Sequence, residues 1–375
     1  MEVIGVVAEY NPFHNGHLYQ IKKIKEEYPD SILVVVISSY ITQRGEICLI
    51  NKWNRCKICL EYGIDIVLEL PSIFSMQSAD NFAKGAIKIL NTLGCTRVVF
   101  GSEEDNLYKL KKCAVLQNSN EFTKKLKYYM DKGNSYPTSL CKVTSDILGY
   151  SVSSPNDLLG ISYIKAINEI NKNIEITLIK RTNSYYSDDI QDNISSGSNI
   201  RNLLKDDLDI TNYIPNYDLD YINRLDYDLI FNYLRYQIIC NKDNLDKYLD
   251  VNEGIENRIL KYLNRSYDLE EFILNIKSKR YTYNKVRRML AHIVFNYTKD
   301  ITSYDEINYI RVLGFNNDGK KYLNKIKKDI DVRIITGYEK NVSKILDYEI
   351  TVSEIYNLIT SENTKREYDK KPIMK

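Results

Sequence analysis

A chain of 375 residues with 52 Lys and Arg against 50 Asp and Glu carries a formal charge of +2, so no net field draws it to nucleic acid or a membrane, and any such binding must be local. The longest apolar runs, such as residues 32–37, are far too short to span a bilayer, and an N-terminus with Glu2 and Glu9 but no basic lead-in does not resemble a signal peptide. Seven scattered cysteines, with Cys56 and Cys59 as one isolated C-x-x-C, read as packing residues of a reduced, cytoplasmic protein rather than a disulfide framework or zinc site.

Along the chain, apolar runs at 3–8, 32–37, 65–70 and 96–100 read as buried strands. Helical patterns near 16–28, 51–62 and 78–93 lie between them, with Gly63 and Gly94 as helix stops. This alternation predicts an α/β fold: right-handed crossovers and a Rossmann-like parallel sheet covered on both faces. Residues 103–150 interrupt it as a Lys-rich helical insertion. A helix at 157–171 then leads to a fifth strand at 174–179. Ligands of such sheets sit beyond the carboxyl ends of the strands, which here carry a polar rim. After residue 206 strand signals fade. Residues 206–228 read as an acidic linker, the remainder as amphipathic helices including 269–296 and 319–328, and the last dozen residues as a frayed tail. Two domains are expected, 1–205 for nucleotide chemistry and a mainly helical 206–375.

The chemistry concentrates where the first strand ends. The run Val3 to Ala8 leads through the turn pair Asn11-Pro12 into His14-Asn15-Gly16-His17, which opens a helix near Gly16. The unpaired N–H groups and partial positive charge of a helix start suit a phosphate. Three residues apart, His14 and His17 can share one side of that start, while Gly16 lets backbone approach the ligand. Donors fixed around an α-phosphate lower the barrier to attack upon it. Zinc on the two histidines is the alternative, but no Cys or third His lies nearby. Neither G-x-x-x-x-G-K-[ST], G-x-G-x-x-G nor H-E-x-x-H occurs. A second constellation, Ile194-Ser195-Ser196-Gly197-Ser198-Asn199-Ile200-Arg201, opens a later helix. Ser196 and Ser198 with backbone donors would hold the β- and γ-phosphates, with Arg201 one turn inside; the alternative is an ordinary Ser cap.

His-x-Gly-His after the first strand, with a late Ile-Ser-Ser-x-x-x-Ile-Arg, resembles the Rossmann-like nucleotidyltransferase superfamily. More closely, Val6 to His17 resembles the opening of the bacterial tRNA(Met) cytidine acetate ligase family. So do Gln43-Arg44-Gly45-Glu46, Asp65 to Pro71, Phe100-Gly101-Ser102-Glu103, Ser154-Pro155-Asn156, Lys279-Arg280-Tyr281-Thr282 with Arg287-Arg288, and Arg311 to Asn316. The resemblance implies a two-step ligase in which ATP and acetate give acetyl-adenylate and the N4 amine of the wobble cytidine of elongator tRNA(Met) takes the acetyl group. It implies that Val7, Ala8, Glu9, Tyr10, Asn11, Pro12, Phe13, His14, Asn15, Gly16, His17, Leu18, Tyr19 and Gln20 wrap the nucleotide, with Gly101, Asn156 and Arg181 touching it further along. Mg²⁺ is expected with ATP. Two stretches depart from the family pattern: Ser38-Ser39-Tyr40-Ile41, whose bulky Tyr40 is expected to alter the acetate pocket or the tRNA-facing rim, and Asn183 to Ser187.

For RNA the candidate surface is Lys277, Lys279, Arg280, Lys285, Arg287 and Arg288, interleaved with Tyr281 and Tyr283; a solvated basic helix face is the alternative. Two other functions fit the motifs: an adenylyltransferase for a small phosphorylated metabolite, and a non-catalytic RNA-binding or nucleotide-sensing protein.

Overall fold

The computed structural model describes residues 1–181, 193–301, 307–339, 342–362 and 366–375. The apolar runs of the first half form β1 (Val3–Ala8), β2 (Ile32–Ser38), β3 (Ile66–Leu70), β4 (Arg97–Ser102) and β5 (Glu175–Lys180). These pair in parallel in the order β5-β4-β1-β2-β3. From β1 the chain winds one way to β2 and β3, then the other way to β4 and β5, so a crevice opens between the carboxyl ends of β1 and β4.

The connecting helices are α1 (Asn15–Glu27), α2 (Lys52–Glu61), α3 (Ser72–Ser75), α4 (Ala79–Thr92) and α8 (Pro155–Ile170), with α5 (Leu107–Gln117), α6 (Asn120–Asp131) and α7 (Tyr136–Leu148) forming the insertion. Along β2, side chains alternate between the faces. Val34 and Val36 join the α4 and α8 residues Ile87, Leu90, Ile164 and Ile167 in one core. Leu33, Val35 and Ile37 join Ile21, Ile24, Ile58 and Leu60 of α1 and α2 in the other. Burial on both faces explains why the strand is a continuous apolar run rather than an alternating one.

The second half contains α9 (Gly197–Lys205), α10 (Tyr227–Cys240), α11 (Ile255–Leu263), α12 (Leu269–Ile276), α13 (Tyr283–Val294), α14 (Asn317–Ile326) and α15 (Lys344–Thr360). The helical pattern over 269–296 is thus two helices, because Lys277 takes extended backbone angles and ends α12. Although strand signals fade in this half and a mainly helical region is expected, it also holds β6 (Tyr309–Phe315), β7 (Arg333–Ile335) and β8 (Ile373–Met374), which the pattern does not show. β6 lies antiparallel beside β3 and carries β7 and β8 on its far edge. Nor is the chain end frayed. β8 pairs with β6, and Glu367 is 3 % exposed in an ion pair of 2.8 Å with both Lys52 and Arg311. The acidic stretch after 206 is also packed: Ile210, Ile214 and Tyr217 enter the core beside α1 and α2. Among the described residues no helix is long and apolar enough to cross a membrane.

Candidate active site

A cavity of about 240 Å³ occupies the crevice above β1 and β4. Its floor is the end of β1, Val7 and Ala8 followed by Glu9, Tyr10 and Asn11. His14 and His17 stand over it because α1 begins there in an unusual way. His14 is the N-cap residue, with extended backbone angles, and its Nδ1 accepts a hydrogen bond from the Gly16 N–H at 3.1 Å. His17 Nδ1 in turn accepts from the His14 N–H at 3.2 Å. The pair forms a capping box made of two imidazoles, with the rings stacked at 3.6 Å between centroids. A side chain on residue 16 would put its Cβ 2.9 Å from the His14 ring, which is why glycine stands there.

Burial and neighbouring charge set the protonation of both rings, and these bonds set the tautomer. Burial, then the cations Arg181 and Arg201, lower the His14 pKa to about 3. His17 is likewise held well below its ordinary value by burial, by His14 and by Arg181. Both rings are therefore neutral at pH 7. With each Nδ1 accepting, the single proton sits on Nε2 and each ring has one N–H left to donate.

The backbone amides of α1 do not play the part expected of them. Asn15 N–H donates to the Tyr213 carbonyl at 2.9 Å, Gly16 N–H to His14 Nδ1, and His17 N–H to the His14 carbonyl at 2.9 Å. The helix start is capped by its own chain, so the donors offered to the cavity are the imidazoles. At α9 the opposite holds. Ser196 is its N-cap, accepting from Asn199 N–H at 3.1 Å, while the N–H groups of Gly197 and Ser198 have no acceptor among the described residues. Ser196 is thus both a helix cap and a lining residue. Arg201, one turn inside, donates to the Asn11 carbonyl at 2.7 Å and pairs with Glu46 at 3.0 Å.

Gly101, Asn156 and Arg181 line the far end. Asn156 donates to Glu103 at 2.6 Å, and Arg181 leaves β5 with its backbone N–H bonded to the Ser102 carbonyl. Tyr19 and Gln20 also face the cavity, whereas Pro12, Phe13, Asn15 and Leu18 lie outside the lining. Phe13 is fully buried beneath it, and the Asn15 side chain donates to the Asn193 and Asn212 carbonyls.

Reasoning from sequence did not assign Arg44 and Glu46, which line the cavity from the loop after β2. Gln43-Arg44-Gly45-Glu46 was visible as a motif but carried no role. The loop is held by Gln43 N–H donating to the Glu9 carboxylate at 2.6 Å. Gly45 has a φ of +76° and lies where a Cβ would be 2.6 Å from the Arg288 backbone. Glu46 pairs with Arg201 and also with Arg287 at 2.8 Å. Burial opposes its charge, but Arg201, Arg287 and Arg44 outweigh burial and hold its carboxyl below the usual range.

Tyr40 does not reach the site. It is 2 % exposed, donates to Glu367 at 2.8 Å and packs on Tyr356, so the bulk expected at the acetate pocket or the tRNA-facing rim lies instead against α15. Asn183 to Ser187 lie outside the described residues. Of the basic candidates, Lys277, Lys279 and Arg280 are exposed. Arg287 and Arg288 are tied inward, to Glu46 and the Arg44 carbonyl, and to Asp250 and the Gln77 carbonyl, respectively. No group of three or more His, Cys, Asp or Glu side chains suited to a metal occurs among the described residues.

The family model described as HIGH Nucleotidyl Transferase matches residues 1–371. The tRNA(Met) cytidine acetate ligase of Fusobacterium nucleatum is 39 % identical over 368 residues, covering 92 % of this chain and 91 % of that protein. The protein of the same name from Caldicellulosiruptor saccharolyticus is 39 % identical, covering 97 % and 96 %. The crystal structure of Thermotoga maritima TmcAL bound with alpha-thio ATP superposes with a TM-score of 0.87 at 28 % identity, covering 100 % of this chain and 99 % of that one. The apo form of the same protein gives 0.89 with the same identity and coverage.

Proposed function

Because the chain belongs to the HIGH nucleotidyl transferase family, and within it to the tRNA(Met) cytidine acetate ligases, we propose that it joins acetate to N4 of the wobble cytidine of elongator tRNA(Met) at the expense of ATP. First, a carboxylate oxygen of acetate attacks the α-phosphorus and pyrophosphate departs, leaving acetyl-adenylate. Then the N4 amine attacks the acetyl carbon, the bond from that carbon to the phosphate oxygen breaks, AMP leaves and N4 loses one proton.

The observation that carries this reading is the pair of neutral imidazoles whose Nδ1 atoms are occupied by the α1 cap. Their Nε2–H groups are donors fixed in advance for oxygens that gain charge as the α-phosphorus is attacked, and being neutral they need transfer no proton. The Gly197 and Ser198 N–H groups at the start of α9 serve the departing β- and γ-phosphates. The ribose and base run toward Gly101, Asn156 and Arg181. No side-chain nucleophile is required, because acetate attacks directly and catalysis is positioning plus electrostatics.

Mg²⁺ would be held mainly by the triphosphate and its own water shell, a habit of this reluctantly dehydrated ion. The carboxylates lining the cavity, Glu9 and Glu46, already receive the Gln43 N–H and two guanidinium groups. There the ion would neutralise charge on the departing pyrophosphate. For the RNA, the exposed Lys277, Lys279 and Arg280 are the phosphate-facing cations, while Arg287 holds the helix behind them against the Gln43–Glu46 loop and Arg288 ties it to Asp250 and the Gln77 carbonyl.

The test is ATP–pyrophosphate exchange with and without acetate, followed by nucleoside mass spectrometry of tRNA incubated with protein, ATP and acetate. Exchange that requires acetate, and N4-acetylcytidine in the digest, are the expected results. Exchange without any carboxylate would favour an adenylyltransferase of a phosphorylated metabolite. Binding of ATP and tRNA with no labelled RNA would favour a sensor.

A further inference from the structure

A second, larger cavity of about 660 Å³ adjoins the first. It lies between the Gly45–Leu49 loop, α9, α10, α12 and α13, and shares Glu46, Ser198 and Arg201 with the nucleotide cavity. The two cavities therefore meet at the Glu46–Arg201 ion pair, beside the Ser198 end of the phosphate cradle. Resting on the ligase reading above, we infer that this second cavity receives the acceptor nucleoside, a cytidine turned out of an RNA loop, with its exocyclic amine directed at Glu46.

Size gives the first argument. Pockets that enclose a small ligand run from about 300 to 1,000 Å³. The neighbouring cavity, at about 660 Å³, lies within that range, and the smaller one beside it is taken by ATP and acetate. The acyl acceptor must still come within bonding distance of the acetyl carbon, which sits next to the α-phosphate. Once pyrophosphate has left, the space beside Glu46, Ser198 and Arg201 opens the larger chamber onto the adenylate, which satisfies both demands.

The lining gives the second. The floor is apolar, with Leu234, Ile273 and Leu290, which suits the face of a base. Two tyrosines stand on the walls, Tyr227 on α10, which is 49 % exposed, and Tyr283 on α13. Each has a cation over its ring, Lys205 at 6.0 Å from Tyr227 and Arg287 at 5.4 Å from Tyr283. Aromatic faces beside cations are the usual means of holding an unstacked base and its phosphate. Arg224, exposed and paired with Asp207 at 2.7 Å, adds a cation to the lining.

Glu46 gives the third. Its two carboxylate oxygens are shared between Arg201 and Arg287, so it stays ionised at the junction of the cavities. A carboxylate there accepts a hydrogen bond from an exocyclic N–H and has no donor for the carbonyl that uracil carries at the same ring position. As N4 bonds to the acetyl carbon and AMP departs, the proton released from N4 passes by Glu46 to solvent.

The experiment uses the full chain and an anticodon stem-loop RNA with 5-bromocytidine at the acceptor position. Irradiation followed by peptide mass spectrometry should place the crosslink in the peptides holding Tyr227 or Tyr283. In parallel, Tyr227→Ala should leave the rate of acetate-dependent pyrophosphate exchange within twofold of the parent. It should also reduce acetyl transfer to the stem-loop at least tenfold at subsaturating RNA, and Tyr227→Phe should restore it. A crosslink confined to the insertion or to Lys277–Arg280, or unchanged transfer in Tyr227→Ala, overturns this assignment while leaving the ligase reading intact. Exchange that ignores acetate defeats the ligase reading itself, and this inference with it.

Discussion

His14 does two separable jobs. Its Nδ1 caps α1, and the ring lines the nucleotide cavity with Nε2–H as its remaining donor. Asparagine is among the best N-caps but has no group reaching where Nε2 stands. His14→Asn should therefore fold with a stability within about 1 kcal/mol of the parent, while acetate-dependent exchange falls by about 10²–10³-fold, the usual effect of losing one preorganised donor. Chemical unfolding and exchange assays on the same preparation check this. A collapse of stability with the activity loss would make the ring a structural element only. The depressed His14 pKa adds a second signature. Below pH 6.5 the unfolded chain protonates this ring and the folded chain does not until about pH 3, so this group's contribution makes stability fall as pH drops through that window. His14→Asn removes that proton uptake. Its stability should decline less steeply between pH 6 and pH 4.5, by up to about 1.4 kcal/mol per pH unit, in urea titrations at each pH. At this scale the sequence yielded the His-x-Gly-His pair and its neighbours, because chemistry needs particular residue types at fixed spacing. It hid the identity of the donors, since the carbonyl that takes the Asn15 N–H belongs to Tyr213, far along the chain.

Among the elements, β2 and β6 differ in how they announce themselves. β2 is buried on both faces and reads as an unbroken apolar run, whereas β6 has Arg311 at its centre. That arginine is only 2 % exposed and is matched by Glu367 at 2.8 Å and Glu69 at 3.4 Å. Lys52 joins the same cluster through both carboxylates. Burial, then Glu69, push the Glu349 carboxyl up, so Glu69 and Glu367 carry the negative charge that balances Lys52 and Arg311. A strand of this kind cannot be found by hydrophobic pattern, because its interior charge is compensated by carboxylates from two other segments, Glu69 on β3 and Glu367 near the chain end. The same cluster ties the chain end to the sheet. Glu367→Ala leaves two buried cations with one partner fewer and should destabilise the fold by about 3–5 kcal/mol, read as a lower urea midpoint. A change below 1 kcal/mol would mean that the last ten residues are dispensable.

For the molecule as a whole, the second half does more than follow the first: it supplies β6 to the sheet, Tyr213 to the α1 cap and Arg287 to Glu46. Arg280 and Arg287 sit close in sequence but should behave differently. Arg280 is 65 % exposed and pairs with Glu253. Arg280→Glu should weaken tRNA binding and lower the slope of log affinity against log salt by about one, with exchange unaffected. Arg287→Glu should reduce both activities, because it repels Glu46 at the junction of the two cavities. Filter binding across a salt series, beside exchange rates, separates the two variants; equal effects would contradict the division of labour.

The central claim is that the imidazole pair promotes attack of acetate itself on the α-phosphorus. Acetate carrying ¹⁸O in both oxygens, incubated with protein, ATP and tRNA, tests it in one turnover. The account predicts one ¹⁸O in the phosphate of each AMP released, matched mole for mole by acetylated cytidine. Unlabelled AMP, or label recovered in orthophosphate or pyrophosphate, would contradict it.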